Sequence, residues 1–496
     1  MMKQLFREYW PYLLALLPAL LLRDFTPATE LRYVSCANET LQEGNFFCLT
    51  YQGNIFYEVM PFYIWLLAGL KLLFGHHFML TIGFLFSFLP AIGILWVMNR
   101  WVERFDTRSF RLCDGSQSRM LASFMLFTCG MQCAMAFFVS PSMLFSFFIV
   151  CALYTFWRII SELGAYGQPS PDQKIRHRLQ WYFGLFVFLA IFTKGLMGFT
   201  IPFFSITIFL LVSGKARYWS RVWNWRVFLL LSVLNGLWML GTYLEGGLLA
   251  VEQLFLQRPL YEGFFADYHD QPWYYYLVSL WLDTIPWGPF CFVVLIMSLV
   301  KRLRSGEFMW KKPFESSLQN FFVCTFLVAL LFYSMIRYKL DVNMLPAYPF
   351  LVYAGVMQLG QWKWPLRWNW PLIWGCRIVL LIIFIAGCFT PWLNINAGCY
   401  GRVCYHANRF ERLLKTEDIY VYKLRRTSGM DTYLYHDPID CTPEDVAAGR
   451  LQNTLLIMKE YRLDNFYHKL DELGVPKDKQ GKVVDELGAY VILHYE

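Results

Sequence analysis

Five cationic side chains stand where a charge is costly. Arg32, Lys194, Arg258, Arg337 and Lys339 border long apolar runs, and Lys194 is wedged between two of them in FTKGLMG. An ammonium at such a depth either serves a function or snorkels back to water. Snorkelling explains any one of the five equally well, but five cations on one face suit a phosphate or pyrophosphate. Carboxylates accompany them: Asp24, Glu30, Glu58, Asp267, Asp270, Asp283 and Asp341. Moving a sugar from a lipid phosphate to an alcohol needs positive charge on the departing phosphate and a base for the incoming hydroxyl. Both residue types are present, although any single acid could be a helix cap or half of an ion pair.

The elements that must hold these residues are membrane helices. Of 496 residues, 57% are hydrophobic and 16% charged, whereas soluble domains carry about 25% charged residues. Most of the apolar surface therefore faces lipid, which excludes a large soluble enzyme. A net charge of +8 without a basic stripe does not suit a nucleic-acid binder.

Apolar runs at about 10–23, 78–98, 119–139, 142–160, 179–195, 196–213, 227–246, 276–300, 320–336, 343–360 and 373–391 predict eleven spans. The shorter run 60–74 is predicted to be an interfacial helix. With this count, alternate connections are rich in Lys and Arg, for example Arg100, Arg104, Arg108 and Arg111, or Lys301, Arg302, Arg304, Lys311 and Lys312. The basic side is cytoplasmic. The N-terminus is then cytoplasmic and begins an uncleaved first span, because no small-residue cleavage site follows it. The loop 24–77, the segment 247–275, the junction 337–342 and the tail fall outside, with all five cations.

The fold class expected is a polytopic α-helical membrane domain over 1–395 and a soluble α/β domain over 396–496. The tail alternates β-type runs (IYVY, TLLIM, YVILHY) with a helical pattern (YRLDNFYHKLDELG). Cys36 with Cys48, and Cys399 with Cys404, could form local disulfides on the outer side or remain thiols. Cysteines within spans read as packing residues. His76 and His77 read as a polar turn, and His406 and His436 lack metal-ligand spacing. No cofactor is predicted, and a divalent metal stays open.

Four segments, in order, resemble the GT-C-fold, family-39-type glycosyltransferases, which include protein mannosyltransferases and bacterial aminoarabinose–lipid A transferases. They are TELRYVSCANETLQEGNFFCLTYQGNIFYEVMPF in the first loop, FTKGLMGFTIPF, HDQPWYYYL followed by IPW, and FYSMIRYKLDVNMLPAYPFL. The resemblance covers about residues 20–360. It implies an enzyme that moves a sugar from a polyprenyl-phosphate carrier to a lipid, glycan or protein acceptor on the outer face of a bacterial inner membrane, with the tail periplasmic. By position, Lys194 and Lys339 would hold the donor phosphate. Arg32, Tyr33 and Glu58 would shape the first-loop site, with His269 and Arg337 near it.

Several positions depart from the family pattern. Thr29 replaces an aspartate, Ser142 a second acid, Val59 a lysine, and Asp341 a proline. Glu30 and Asp341 are the candidates for the base that Thr29 no longer supplies. Two other readings are a non-catalytic relative that binds the sugar-linked carrier, and a transporter or flippase. The latter leaves the long first loop and the soluble tail unexplained, and no pair of broken spans recurs in the two halves.

Overall fold

The computed structural model describes the chain except residues 1, 28, 52, 76–77, 107–114, 165–172, 266–268, 305–316, 363–368, 397, 417, 425–428, 435–437 and 496. His76, His77, Asp267, His436, Arg108, Arg111, Lys311 and Lys312 lie outside the described residues. The chain forms two compact units. The first comprises Met1–Ala15, Tyr57–Leu66 and Leu73–Ile383; the second comprises Leu16–Phe56, Leu67–Leu72 and Phe384–Glu496.

The first unit is a helical membrane domain. Among the described residues, helices long and apolar enough to cross a bilayer are Thr81–Phe105, Pro141–Glu162 (α1), Trp225–Gln257, Leu318–Met335 (α6) and Trp370–Cys388. Shorter apolar helices include Met197–Val212 (α3) and Trp287–Lys301. Gln173–Lys194 (α2) and Tyr348–Gln361 (α7) complete the set that matters for the site. The helix Pro61–Phe74 has 14 residues, which at 1.5 Å per residue is shorter than the roughly 30 Å hydrocarbon layer.

Two apolar runs that read as single spans are each broken. The run 119–139 divides into Gly115–Phe127 and Gly130–Met135, because Cys129 is extended (φ −65°, ψ 136°). The run 276–300 divides into Tyr275–Asp283 (α4) and Trp287–Arg304 (α5), with a cis Ile285–Pro286 bond between them. The breaks meet: the Gly130 N–H donates to Ile285 O at 2.9 Å, so each supplies a backbone group to the other. A Cβ on Gly130 would lie 3.2 Å from Asp283 O, a tight approach that glycine permits.

The core of this unit is aromatic. Trp101 is fully buried and contacts Trp157, Phe321, Phe322 and Phe350. One buried polar residue organises its surroundings. Asn99 donates to Tyr9 Oη (3.2 Å) and Ser123 Oγ (2.8 Å) and accepts from Tyr353 (2.7 Å). Paired in this way, the amide links three helices without leaving its own polar groups unsatisfied.

The second unit contains the helix Glu30–Glu43, a short hairpin (Thr50–Tyr51 with Asn54–Ile55) and the C-terminal sheet domain. The sheet strands are β1 Asp418–Tyr422, β2 Ile439–Cys441, β3 Thr454–Lys459, β4 Lys482–Leu487 and β5 Tyr490–Tyr495, in spatial order β2-β1-β3-β5-β4. β1 pairs in parallel with β2 and β3, and β5 pairs antiparallel with β3 and β4. The expected strands at 419–422, 454–458 and 490–495 are the three central ones. The edges β2 and β4 were not expected; their exposed, charged residues carry no apolar pattern. The helix Leu463–Glu472 buries Phe466 and Leu470 against Tyr422, Leu456 and Leu493. Cys36, Cys48, Cys399 and Cys404 are buried, and neither local disulfide is present.

Candidate functional site

The Lys194 ammonium owes its position to a chain reversal. Lys194 is the last residue of α2, and Gly195 turns the chain with φ +68°, a conformation glycine adopts without steric cost. The chain then returns as α3. The two helices lie so close that a Cβ on Gly198 would come within 2.3 Å of the Ala190 backbone.

At this turn Lys194 Nζ donates to Asn343 Oδ1 at 2.9 Å and lies 3.5 Å from Ser142 Oγ, beside the Phe145 ring. Both oxygens are neutral, so they orient the ammonium without cancelling its charge. Asn343 comes from the 3₁₀ turn Asp341–Ala347, and Ser142 from the first turn of α1. Ser142 stands where the family resemblance places an acid.

Lys194 and Arg258 both line a cavity of about 720 Å³. Its walls are apolar for a periodic reason. Thr200, Phe204 and Ile208 recur every four residues along α3, and Val328, Leu331, Phe332 and Met335 form the matching stripe on α6. Its rim is open: Met335 is 84% exposed and Phe264 66%. Met335 ends the apolar helix α6, where an exposed apolar side chain is suited to lipid. Arg258 is held by the carbonyls of Tyr57 and Glu58, the latter at 2.6 Å. The result is an apolar groove with two cations at its polar part.

A second cluster gathers where 269–283 meets 336–348. Lys339 is only 4% exposed. It donates to the carbonyls of Gln271 (2.9 Å) and Ile336 (2.5 Å), and its N–H donates to His269 O. Burial lowers its pKa below the ordinary lysine value of 10.5, with Asp270 opposing and Arg337 adding to the shift. Lys339 thus ties two segments together, alongside a bridge between Asp270 and Tyr338. His269 adopts φ 59° and its ring meets Tyr338 edge-on. The exposed Arg337 donates its backbone N–H to Gly263 O.

Asp341 accepts a hydrogen bond from Tyr275 Oη at 2.6 Å, and Asp283 accepts one from Tyr348 Oη at 3.0 Å. Sequence reading did not mark Tyr275, Tyr348 or Asn343. A polar residue inside the apolar stretch MLPAYPF and its approach was the available signal.

The remaining candidates belong to the second unit. Glu30 is fully buried, and its carboxylate is engaged by both terminal nitrogens of Arg23 and by the N–H (2.9 Å) and hydroxyl (2.8 Å) of Thr26. The Arg32 guanidinium lies over the rings of Phe56 and Tyr33. Among the described residues no group of three His, Cys, Asp or Glu could hold a metal ion.

The crystal structure of ArnT from Cupriavidus metallidurans bound to undecaprenyl phosphate superposes with a TM-score of 0.71, covering 99% of this chain and 98% of that one at 14% identity. The same protein in the apo state gives 0.66. The chain has the GT-C fold. No family model matches it. An undecaprenyl phosphate-alpha-4-amino-4-deoxy-L-arabinose arabinosyl transferase from Shewanella sediminis is 27% identical over 67% of this chain, and one from Erwinia tasmaniensis is 23% identical over 68%. An uncharacterized protein from Aquifex aeolicus is 24% identical over 68%. The chain spans 55%, 56% and 62% of the length of these three relatives respectively. The GT-C assignment therefore rests on the fold of the whole chain.

Proposed function

We propose that this protein is a glycosyltransferase that takes a sugar from a polyprenyl-phosphate carrier and passes it to a lipid, glycan or protein acceptor. The observation that carries this reading is the apolar cavity shared by Lys194 and Arg258. Isoprenoid units need an apolar groove reachable from the lipid, and the phosphate needs fixed cations at one end; this cavity offers both. The relatives named above, two of which act on undecaprenyl phosphate-linked aminoarabinose, are consistent with it.

In the reaction, a new bond forms between the acceptor oxygen and the sugar's anomeric carbon as the bond from that carbon to the phosphate oxygen breaks. Lys194 and Arg258 stabilise the phosphate charge that develops. Asp341, held by Tyr275, takes the acceptor proton. Glu30 is the weaker candidate for this step, because Arg23 and Thr26 already engage its carboxylate. Lys339 and His269 act as positioning residues that hold the Asp341 turn. By resemblance alone, Arg32, Tyr33 and Glu58 would shape a first-loop site, with Arg337 near it. The loop charges favour the outer face for this chemistry, which by resemblance is the periplasmic face of a bacterial inner membrane.

The test uses the full chain in lipid nanodiscs with undecaprenyl phosphate as ligand. Wild type should bind it, and Lys194→Gln or Arg258→Gln should each weaken binding about tenfold or more, the scale of a lost charge-assisted contact. Binding that is absent in wild type, or unchanged in both variants, would overturn the reading.

A further inference from the structure

Arg258 lines a second cavity, of about 590 Å³, whose walls differ in kind from those of the first. They consist of Tyr57, Gln253, Gln257, Tyr261 and Phe265: three aromatic rings and two primary amides, with no aliphatic side chain among the described lining residues. The volume falls within the usual range for small-molecule sites.

The lining follows from an unusual helix. Gln253, Gln257, Tyr261 and Phe265 recur every four residues along Gln253–Phe265, which runs as a π turn (Gln253–Gln257), a short α segment (Arg258–Leu260) and a second π turn (Tyr261–Phe265). An α-helix overshoots a full revolution by about 40° in four residues. The wider π turn falls short of one, so alternating them keeps the four side chains in one line. Single π turns of this kind recur at functional sites. The Gln257 amide is oriented by its hydrogen bond to Glu252 (3.1 Å).

Aromatic faces stack on the C–H face of a sugar ring, and a primary amide both donates to and accepts from its hydroxyls. Arg258 lines both cavities, so it stands between the apolar groove, which meets this segment at Pro259 and Gly263, and the amides and rings on the segment's other side. A sugar-linked polyprenyl phosphate has the same order: isoprenoid, phosphate, sugar.

We infer that this second cavity is the subsite for the carrier-linked sugar ring, with Gln253 and Gln257 reading its hydroxyls and Tyr261 and Phe265 packing on its face. The inference rests on the carrier reading above and adds to it the place and chemistry of sugar recognition. The same chemistry could serve a sugar of the acceptor; sharing Arg258 with the carrier groove favours the donor.

The test measures the Kd of a polyprenyl phosphate without sugar, and of the same lipid bearing a neutral hexose or 4-amino-4-deoxy-arabinose, for the full chain in nanodiscs. Wild type should bind at least one sugar-bearing lipid tighter than the bare lipid. Gln253→Ala and Gln257→Ala should each reduce that preference about three- to tenfold, the scale of a lost hydrogen bond, with bare-lipid binding within about twofold of wild type. Tyr261→Leu, which keeps bulk and removes the ring, should act the same way. No sugar preference in wild type, equal loss for both lipids, or an unchanged preference in the variants would each overturn the subsite. Failure of wild type to bind the bare lipid would instead overturn the carrier reading.

Discussion

The Lys194 ammonium and the Asn343 side-chain oxygen lie 2.9 Å apart, although 149 positions separate them in sequence. This contact fixes the direction of the charge at the end of α2. Replacing the neutral partner with an acid, Asn343→Asp, should neutralise the site and lower the affinity for undecaprenyl phosphate about tenfold or more. Asn343→Ala should cost less, about threefold. Equilibrium binding in nanodiscs separates the two, and a weaker effect from the acid than from alanine would refute the role given to Lys194.

Asp341 is the proposed base, so its removal should act on turnover and leave the carrier in place. Asp341→Asn is expected to lower kcat about 10²- to 10⁴-fold while binding of the bare carrier stays constant. Tyr275→Phe, which removes the hydrogen bond to Asp341, should lower kcat by about three- to tenfold. Full transfer by purified Asp341→Asn would reassign the base.

Lys339 gives the protein a pH signature. Its folded-state pKa lies below the ordinary 10.5 because burial penalises the ammonium. Between that lowered value and 10.5 the unfolded chain binds more protons than the folded one, so stability from this group rises with pH across the window. Below the window both states are protonated and the charged form is disfavoured only in the fold. Lys339→Met should flatten this alkaline rise in melting temperature. A variant that keeps the full rise would show that other groups cause it.

Breaking the Arg23–Glu30 pair should destabilise rather than inactivate. Glu30 is completely buried and the Arg23 side chain is 11% exposed, so Glu30→Gln removes the carboxylate that both guanidinium nitrogens engage and leaves Asp24 as a neighbouring charge, at up to about 3–5 kcal/mol. The double variant Arg23→Met/Glu30→Leu should recover much of that loss. Chemical or thermal unfolding reads both. Retained transfer below the melting temperature would separate Glu30 from the catalytic base.

The helical membrane class and the sheet domain of the tail were legible because they depend on composition and on the switch from apolar to charged patterning. The breaks at Gly130 and Pro286 were passed over although Asp283, Pro286 and Pro289 interrupt one run and Gly130 and Gln132 the other; no local pattern carries the way the two breaks stabilise each other across 155 positions of chain (Gly130 to Ile285). The direction of a side chain was equally hidden. Lys194 and Lys339 look alike in sequence, yet one lines a groove and the other is turned inward onto carbonyls. Ser142 shows the same limit from the other side: its departure from the family pattern was visible, and its position beside Lys194 was not.

The rim of the large groove, with Met335 and Phe264 exposed, has a kinetic consequence. On the proposed function, a carrier would enter there sideways from the lipid without crossing water, and the protein would sense carrier per unit of membrane area. Diluting vesicles with buffer should leave the rate per enzyme untouched. Diluting the same carrier with more lipid should slow it, and the spent carrier, leaving through the same side door, should act as a competitor at matching surface density.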